Sequence, residues 1–312
     1  MKNNSCHLII IILLVHVLHG QQDPQYTQYM YNMSVVNPAY ATDAPGMIRF
    51  GALYRSQWLN AIGAPTTFSF FAHTSLGEKV ETGISVISDD IGDGALKENN
   101  IYADFAYVLR LSEKDKLSLG IKGGITNFDT NFNGFRLPEF QDDPAFNENL
   151  NSVFPNVGIG AFYFRENFYV GVSAPNLLTS KHLENRNGIN RVGGESTHIF
   201  LTSGYVYQIN STLKVKPSVM AKMVSGAPLT LDASLNLLFN NTFEGGISYR
   251  FEDSVSAMFN ISVTPFLRIG YAYDYVLSNL GAFESGSHEI FTLFDLDLLR
   301  LGKGYDKSPR FY

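Results

Sequence analysis

The stretch Leu267-Arg-Ile-Gly-Tyr-Ala-Tyr-Asp-Tyr275 decides the fold. Its odd-numbered positions are large and apolar or aromatic, and its even-numbered positions are small or charged. Because successive side chains of a β-strand point to opposite faces, a period of two predicts a strand with one apolar and one polar face. Residues 48–58, 229–239 and 255–263 repeat the pattern, so alternation extends along the chain.

About fourteen alternating segments follow one another, and no helical pattern with caps competes with them. They lie near residues 47–58, 66–75, 80–88, 98–111, 115–128, 154–165, 168–174, 197–208, 212–224, 229–240, 243–251, 254–264, 266–276 and 287–298. The sequence therefore predicts an all-β protein.

The composition excludes several classes of protein. Hydrophobic residues make up 45% of the chain, aromatic residues 13% and charged residues only 17%, against roughly 25% charged in a typical soluble domain. A net charge of -6 leaves no basic field for nucleic acid. Beyond residue 20, no apolar run approaches the ~18 residues of a spanning helix, which excludes a polytopic helical membrane protein.

Three features favour a membrane β-barrel over a soluble sandwich. Most segments have the ~9–11 residues, or slightly more, that a tilted strand needs to cross a bilayer. Tyr and Phe recur near segment ends, as in interfacial aromatic girdles. Every long connection is odd-numbered from the N terminus, whereas the even-numbered ones are tight. We therefore expect a closed transmembrane outer-membrane β-barrel of about 14 antiparallel strands, with short periplasmic turns, longer external loops and both termini in the periplasm.

The first twenty residues indicate export. A polar start with Lys2 precedes an apolar stretch and the small residue Gly20, which predicts a signal peptide over 1–20 that is cleaved near Gly20. The only cysteine, Cys6, lies within it, so the mature chain would have no disulfide and no thiol chemistry. The expected organisation continues with an N-terminal periplasmic or lumen-docked segment (21–46), the barrel (47–298) and a C-terminal tail (299–312).

Alternation also predicts which charges line the lumen. They are Arg49, Arg55, Asp104, Lys122, Lys214, Lys216, Lys222, Asp232, Glu244, Arg250, Arg268, Asp274, Asp295 and Asp297. Charges of both signs are compatible with ion pairs that brace the wall, and equally with a lining that selects a passing solute. The sequence leaves both interpretations open.

Catalytic, cofactor and metal sites are not expected. The histidines beyond the leader, His73, His182, His198 and His288, share no metal-ligand spacing, and no Gly-x-Ser-x-Gly occurs. Residues 129–134 begin like a calcium loop, but Phe140 stands where the bidentate Glu is required. We expect no cofactor and no enzymatic activity.

The ends of the chain carry a family resemblance. The polar, tyrosine-rich segment Gln22-Asp-Pro-Gln-Tyr-Thr-Gln-Tyr-Met-Tyr-Asn32 precedes Asn37-Pro-Ala-Tyr-Ala41, and together they resemble the N-terminal signature of the PorP/SprF family of Bacteroidota outer-membrane proteins. The segment is Pro-punctuated and not amphipathic, so neither helix nor strand is expected in it. The resemblance continues through Ala52-Leu-Tyr-Arg55, Gln57-Trp58, Gly63-Ala-Pro-Thr66, Gly286-Ser-His-Glu-Ile290 and Ser308-Pro-Arg-Phe311.

The resemblance implies a component of the type IX secretion system. Members of the family support export or surface attachment of large proteins, including gliding adhesins, and have no known catalytic residues. The implied partners are a large secreted or surface protein with a type IX C-terminal domain, a periplasmic peptidoglycan-associated component, and outer-membrane lipid. The alternative is a passive or solute-selective porin.

Candidate partner-binding residues lie in two places. The external loops 129–153 and 175–196 are expected to engage the cargo, and the segment 21–41 the periplasmic machinery. The candidates are Gln25, Tyr26, Gln28, Tyr29, Tyr31, Asn37, Pro38, Tyr40, Phe135, Glu139, Asp142 and Asp143.

Overall fold

The computed structural model describes residues 25–131, 149–178, 196–225, 227–277 and 285–297. Apart from a 3-10 helix at Tyr29–Tyr31 and the short helix α1 at Met33–Val36, the regular elements in these ranges are strands. The strands are β1 Met47–Ser56, β2 Thr66–Leu76, β3 Val80–Ile91, β4 Leu96–Arg110, β5 Lys116–Thr130, β6 Asn151–Arg165, β7 Phe168–Ala174, β8 His198–Tyr205, β9 Tyr207–Gln208, β10 Leu213–Val224, β11 Thr230–Phe239, β12 Phe243–Arg250, β13 Ser254–Thr264, β14 Leu267–Val276 and β15 Ser287–Asp297.

The strands form one closed antiparallel barrel. Each strand pairs with the next along the chain, and β15 pairs with β1 from Met47↔Asp297 to Ser56↔His288. The two-residue β9 continues β8, and both pair with β10. Counted as one strand, they make a barrel of fourteen strands. Closure leaves no unpaired sheet edge in the hydrocarbon. The predicted fold is confirmed.

The alternation read from the sequence separates the two faces of the wall. On β14, Arg268, Ala272 and Asp274 are buried inside, whereas Tyr271 and Tyr275 are exposed outside. The outward face is apolar on every side of the barrel, as lipid contact requires.

An aromatic belt crosses three neighbouring strands at one end of the barrel. The ring centroids of Tyr163 and Phe168 lie 6.4 Å apart, and those of Phe168 and Tyr205 lie 6.5 Å apart. These residues stand at the ends of β6, β7 and β8. Their position agrees with the interfacial girdle that the sequence predicts.

The two ends of the barrel differ in their connections. Strands are joined by residues 77–79, 111–115, 166–167, 209–212, 240–242 and 265–266 at one end, which we call the short-turn end. The other end, the long-loop end, carries residues 57–65, 92–95, 131–150, 175–197, 225–229, 251–253 and 277–286. Within the described ranges, no helix is long and apolar enough to cross a membrane.

The wall is tallest over β4, β5 and β6. β5 and β6 have 15 residues each, whereas β7 has 7. β6 pairs with β5 from Asn151 onward, but its pairing with β7 begins only at Ile159. The β5–β6 hairpin therefore extends beyond β7 at the long-loop end.

The N-terminal segment differs from its expected conformation. It was expected to contain no helix, yet Tyr29–Tyr31 and Met33–Val36 each form a helical turn. Neither has a side-chain cap hydrogen bond. The helical turns form because tertiary contacts surround them, since isolated helices of this length are not stable in water.

Candidate functional site: an occupied barrel lumen

Residues 25–43, which we call the lumen segment, run along the inside of the barrel. Next to the segment's C-terminal end, Pro45 forms a bridge with Ser75 at the short-turn end. Its N-terminal end reaches Glu289, near the long-loop end of β15. Every residue from 26 to 42 is buried.

The direction of the segment bears on the expected location of the termini. Asp297 ends β15 at the short-turn end, whereas Gln25 lies toward the long-loop end. The described N-terminal end thus lies opposite to the expected side. Residues 1–24 and 298–312, which include the predicted signal peptide and the predicted C-terminal tail, lie outside the described ranges, so the periplasmic location of both termini stays a prediction.

At the short-turn end, a carboxylate holds the segment. Glu81 accepts hydrogen bonds from the Thr42 hydroxyl at 3.1 Å and from the Asp43 amide at 2.9 Å. His73 Nε2 lies 2.9 Å from the same carboxylate. Lys116 Nζ lies 2.7 Å from Asp43 Oδ2 at the mouth. These contacts anchor the segment where it joins β1.

In the middle of the lumen, glycines on the wall make room for the segment's backbone. A Cβ on Gly120 would lie 2.4 Å from the carbonyl carbon of Pro38, and one on Gly160 would lie 2.1 Å from Asn37 Oδ1. Asn37 Nδ2 donates to the carbonyl of Ala161 at 3.2 Å. Any side chain at these glycines would displace the segment.

Two further bonds hold the main chain of α1. Lys122 Nζ donates to the carbonyl of Val35 at 3.0 Å, and the Ser173 hydroxyl donates to the carbonyl of Val36 at 2.9 Å. The wall thereby satisfies carbonyls that a short helix leaves unpaired.

The segment's tyrosines pack against different parts of the wall. Tyr31 stacks on Phe291 with ring centroids 4.1 Å apart, and its hydroxyl accepts a 2.6 Å hydrogen bond from Asn260. The Tyr40 ring lies between the rings of His73 and Phe162, with centroid distances of 5.6 Å and 5.7 Å, respectively. The sequence identifies these tyrosines as unusual, but not their neighbours.

Near the long-loop end, charged wall residues form hydrogen bonds with the start of the segment. The amides of Thr27 and Gln28 donate to the two carboxylate oxygens of Glu289 at 3.0 and 2.7 Å. The Thr27 hydroxyl donates to Asp274 Oδ2 at 2.7 Å. Arg55 bridges both carboxylates, at 2.8 Å from Asp274 and 3.2 Å from Glu289. We call these five residues the latch.

Most of the latch was outside the candidate set. Sequence reasoning named Gln28 as a candidate, and Arg55 and Asp274 as lumen charges, but it missed Thr27 and Glu289. The alternation of β15 could have identified Glu289 as inward-facing, because it shares the parity of Asp295 and Asp297, which the sequence places in the lumen.

Nine of the other predicted lumen charges are seen in ion pairs along the wall. Arg49 makes two 2.7 Å hydrogen bonds to Asp295. The remaining pairs are Lys122–Asp104 at 3.6 Å, Lys216–Glu244 at 2.8 Å, Arg268–Glu244 at 3.4 Å and Arg250–Asp232 at 2.7 Å. For these residues, the structure supports the interpretation of charges that brace the wall.

A cavity remains in the lumen on the long-loop side of the segment. Its lining includes Tyr26, Val36, Tyr102, Phe200, Met220 and Arg250. Gln25 also lines it.

The second group of candidates, Phe135, Glu139, Asp142 and Asp143, lies outside the described residues. Two main-chain hydrogen bonds hold the base of their loop. The Thr130 amide donates to the carbonyl of Leu150 at 2.8 Å, and the Asn131 amide donates to the carbonyl of Ala95 at 2.9 Å. The loop therefore begins at the top of the tall β5–β6 hairpin.

The described residues contain no group of three or more His, Cys, Asp or Glu side chains that could hold a metal ion. His288 points outward, where Nδ1 lies 2.7 Å from the Tyr271 hydroxyl. His73 is paired with Glu81.

Comparison with solved structures finds outer-membrane barrels at low sequence identity. The CymD monoaromatic hydrocarbon channel superposes with a TM-score of 0.50 at 11% identity, over 84% of this chain and 91% of that one. The outer membrane protein Omp33 of Acinetobacter baumannii gives 0.48 at 10% identity, over 81% and 100%. A FadL homologue of Pseudomonas aeruginosa gives 0.47 at 10%, over 90% and 96%. The likeness to CymD concerns the fold alone.

Comparison with curated protein sequences gives no match. A family model described as type IX secretion system membrane protein PorP/SprF matches residues 18–294. That match covers nearly all of the barrel and the lumen segment within it. The chain belongs to the PorP/SprF family of type IX secretion system membrane proteins.

Proposed function

We propose that this protein is a non-enzymatic outer-membrane component of the type IX secretion system that supports secretion or surface attachment of one partner protein, such as a gliding adhesin. The observation that carries the proposal is the occupied lumen. Residues 26–42 are buried inside the barrel and bonded to its wall at both ends. A barrel filled in this way acts through its exposed ends.

The long-loop end offers the surface for the partner. The loop of residues 132–148 starts from a hairpin that extends beyond the neighbouring β7. Its sequence combines acidic residues with phenylalanines, among them Phe135, Glu139, Asp142 and Asp143. Aromatic side chains are enriched at the centres of protein interfaces. We assign the partner's type IX C-terminal domain to this loop, together with residues 179–195 of the connection between β7 and β8.

The chemistry of the described residues supports a non-enzymatic role. Their buried charges are engaged in ion pairs within the wall, as Arg49–Asp295 and Lys216–Glu244 illustrate. His73 binds Glu81 inside the barrel, and His288 binds Tyr271 outside it.

The partner loop is tested by replacement. Residues 132–148 are exchanged for a short Gly-Ser linker, which keeps the Thr130–Leu150 bond at the base of the hairpin. We expect the barrel to assemble while a surface partner is lost from the cells and from mild-detergent pull-downs analysed by mass spectrometry. A second variant replaces residues 179–195 in the same way. Unchanged retention of the partner in both variants would contradict the proposal.

Conductance separates the proposal from the porin alternative. The wild-type barrel in planar bilayers is expected to remain closed for most of the recording, because the lumen segment occupies the pore. Steady conductance of the wild-type protein, combined with purification of the barrel alone, would favour the porin.

A further inference from the structure

We propose that the barrel has a second, conducting state, which it reaches when the lumen segment withdraws through the short-turn end. This state goes beyond the proposed partner-binding function, which needs only the closed barrel. It assigns to the segment the function of a removable plug.

The connectivity sets the direction of withdrawal. The segment continues into β1 at the short-turn end, where the Met47 amide bonds to the carbonyl of Ala44 and Pro45 bridges to Ser75. At its other end, the described residues from Gln25 to Gln28 belong to no strand of the wall. A chain tethered at one mouth clears the lumen only by leaving through that mouth.

The backbone turns sharply at the tether. Asp43 has a φ of 55° and Gly46 a φ of 82°, so two residues with positive φ flank Ala44-Pro45. Asp43 is exposed, whereas residues 26–42 are buried. A sharp bend at the mouth therefore already separates the wall-bound tether from the part that would move.

The segment can leave without stranding a charge. Residues 25–42 contain no Asp, Glu, Lys, Arg or His. The wall charges pair with each other, as in Arg49–Asp295, Arg250–Asp232 and Lys216–Glu244. These pairs would persist after withdrawal. A polar wall that satisfies its own charges is typical of a water-filled barrel, so the emptied lumen is compatible with solvent.

The latch is the contact that opposes withdrawal at the N-terminal end of the lumen segment. Glu289 accepts both main-chain amides of Thr27 and Gln28, and Asp274 accepts the Thr27 hydroxyl. Hydrogen bonds to charged groups are stronger than neutral ones. Weakening the latch should therefore shift the population toward the open state.

The test is single-channel recording of the full mature barrel in planar bilayers. Glu289→Gln and Thr27→Val weaken the latch from the wall and from the segment, respectively. We expect each to raise the open probability about tenfold or more over wild type. The matched control is Asp295→Asn, which also damages a buried Arg–carboxylate pair between β1 and β15 but whose carboxylate binds Arg49. It should leave the open probability near that of wild type.

A reversible lock tests whether the segment itself gates the pore. Asn32 Nδ2 lies 3.1 Å from Ser69 Oγ, so Asn32→Cys with Ser69→Cys, in a Cys6→Ser background, can be joined by a short cleavable thiol cross-linker. Cross-linking should abolish the openings of Glu289→Gln, and cleavage should restore them.

The outcomes are distinct. Openings that survive the lock, or equal open probabilities in wild type, Glu289→Gln and Thr27→Val, overturn the conducting state. Openings in Asp295→Asn equal to those of the latch variants also overturn it, because they reflect general destabilisation. A barrel that retains its partner but never conducts refutes this inference alone, whereas loss of the loop without loss of the partner refutes the proposed function alone.

Discussion

The main-chain amide of Gln28 donates a 2.7 Å hydrogen bond to Oε1 of Glu289, 261 residues away in the chain. Glu289 stands opposite Arg55 in the register between β15 and β1. This is the seam at which the last strand meets the first. The lumen segment is therefore fastened to residues that come together only when the barrel closes.

Docking of the segment depends on a glycine in β5. A Cβ at position 120 would lie 2.4 Å from the backbone of Pro38, so Gly120→Ala should cost roughly 1–3 kcal/mol of docking free energy through overpacking. We expect faster maleimide labelling of a cysteine placed at the buried Ser34. Gly123→Ala is the control, since its Cβ would meet nothing within 4 Å. Equal labelling rates in the two variants would contradict this prediction.

The Tyr31 ring contributes more to docking than its hydroxyl. Tyr31→Phe removes the bond to Asn260 and should cost about 1 kcal/mol. Tyr31→Ala also removes the stacking on Phe291 and should cost about 3–5 kcal/mol. Hydrogen exchange of the amides of residues 29–36 measures both effects. A larger effect for the phenylalanine variant would refute this order.

Removal of one partner from the Arg49–Asp295 ion pair is expected to destabilise the barrel, whereas removal of both partners is expected to cost little. Both side chains are buried, so Asp295→Asn leaves the guanidinium uncompensated and should lower the free energy of unfolding by about 3–5 kcal/mol. The double variant Arg49→Met, Asp295→Leu should recover most of the loss. Denaturant midpoints in lipid vesicles compare the three proteins, and a double variant less stable than Asp295→Asn would contradict the argument.

The turn between β4 and β5 carries an acid-sensitive contact. The Tyr163 hydroxyl donates to Asp115 at 2.6 Å and the Ser112 hydroxyl donates at 2.8 Å, and these bonds lower the pKa of the Asp115 carboxyl. Because the folded pKa is depressed, the contact stabilises the fold above the ordinary pKa of Asp and is lost as pH falls through the lowered value.

Removal of the tyrosine hydroxyl tests this cause. Tyr163→Phe should raise the pKa of Asp115 toward its ordinary value in a carboxyl carbon NMR titration. Ser112→Ala should raise it less, because the bond to Tyr163 is the larger cause. An unchanged pKa in Tyr163→Phe would refute the assignment.

The strands and their faces could be predicted because alternation is a local property. Arg268 and Asp274 could be placed inside, and Tyr271 and Tyr275 outside, from residues 267–275 alone. A membrane exterior and a polar lumen impose that order on each strand separately. The parity of long and short connections also follows from sequence positions, and closure follows from the need to pair every strand edge.

Local sequence did not predict the lumen segment in the same way. Its helical turns at Tyr29–Tyr31 and Met33–Val36 lack side-chain caps, and its polar, tyrosine-rich composition is compatible with a position inside the barrel or outside it. The turns persist because Lys122, Ser173 and Asn260 provide partners from three distant strands.

The sequence by itself thus determined an outer-membrane barrel of about fourteen strands, most of the inward charges and the family, since each depends on short-range periodicity or contiguous motifs. Only the tertiary structure decided that residues 25–43 fill the lumen, that Gly120 makes room for Pro38, and that Glu289 holds Gln28. These contacts join residues that lie far apart in the chain. They exist because closure of the ring brings β1 and β15 together around the segment, and no local pattern encodes that encounter.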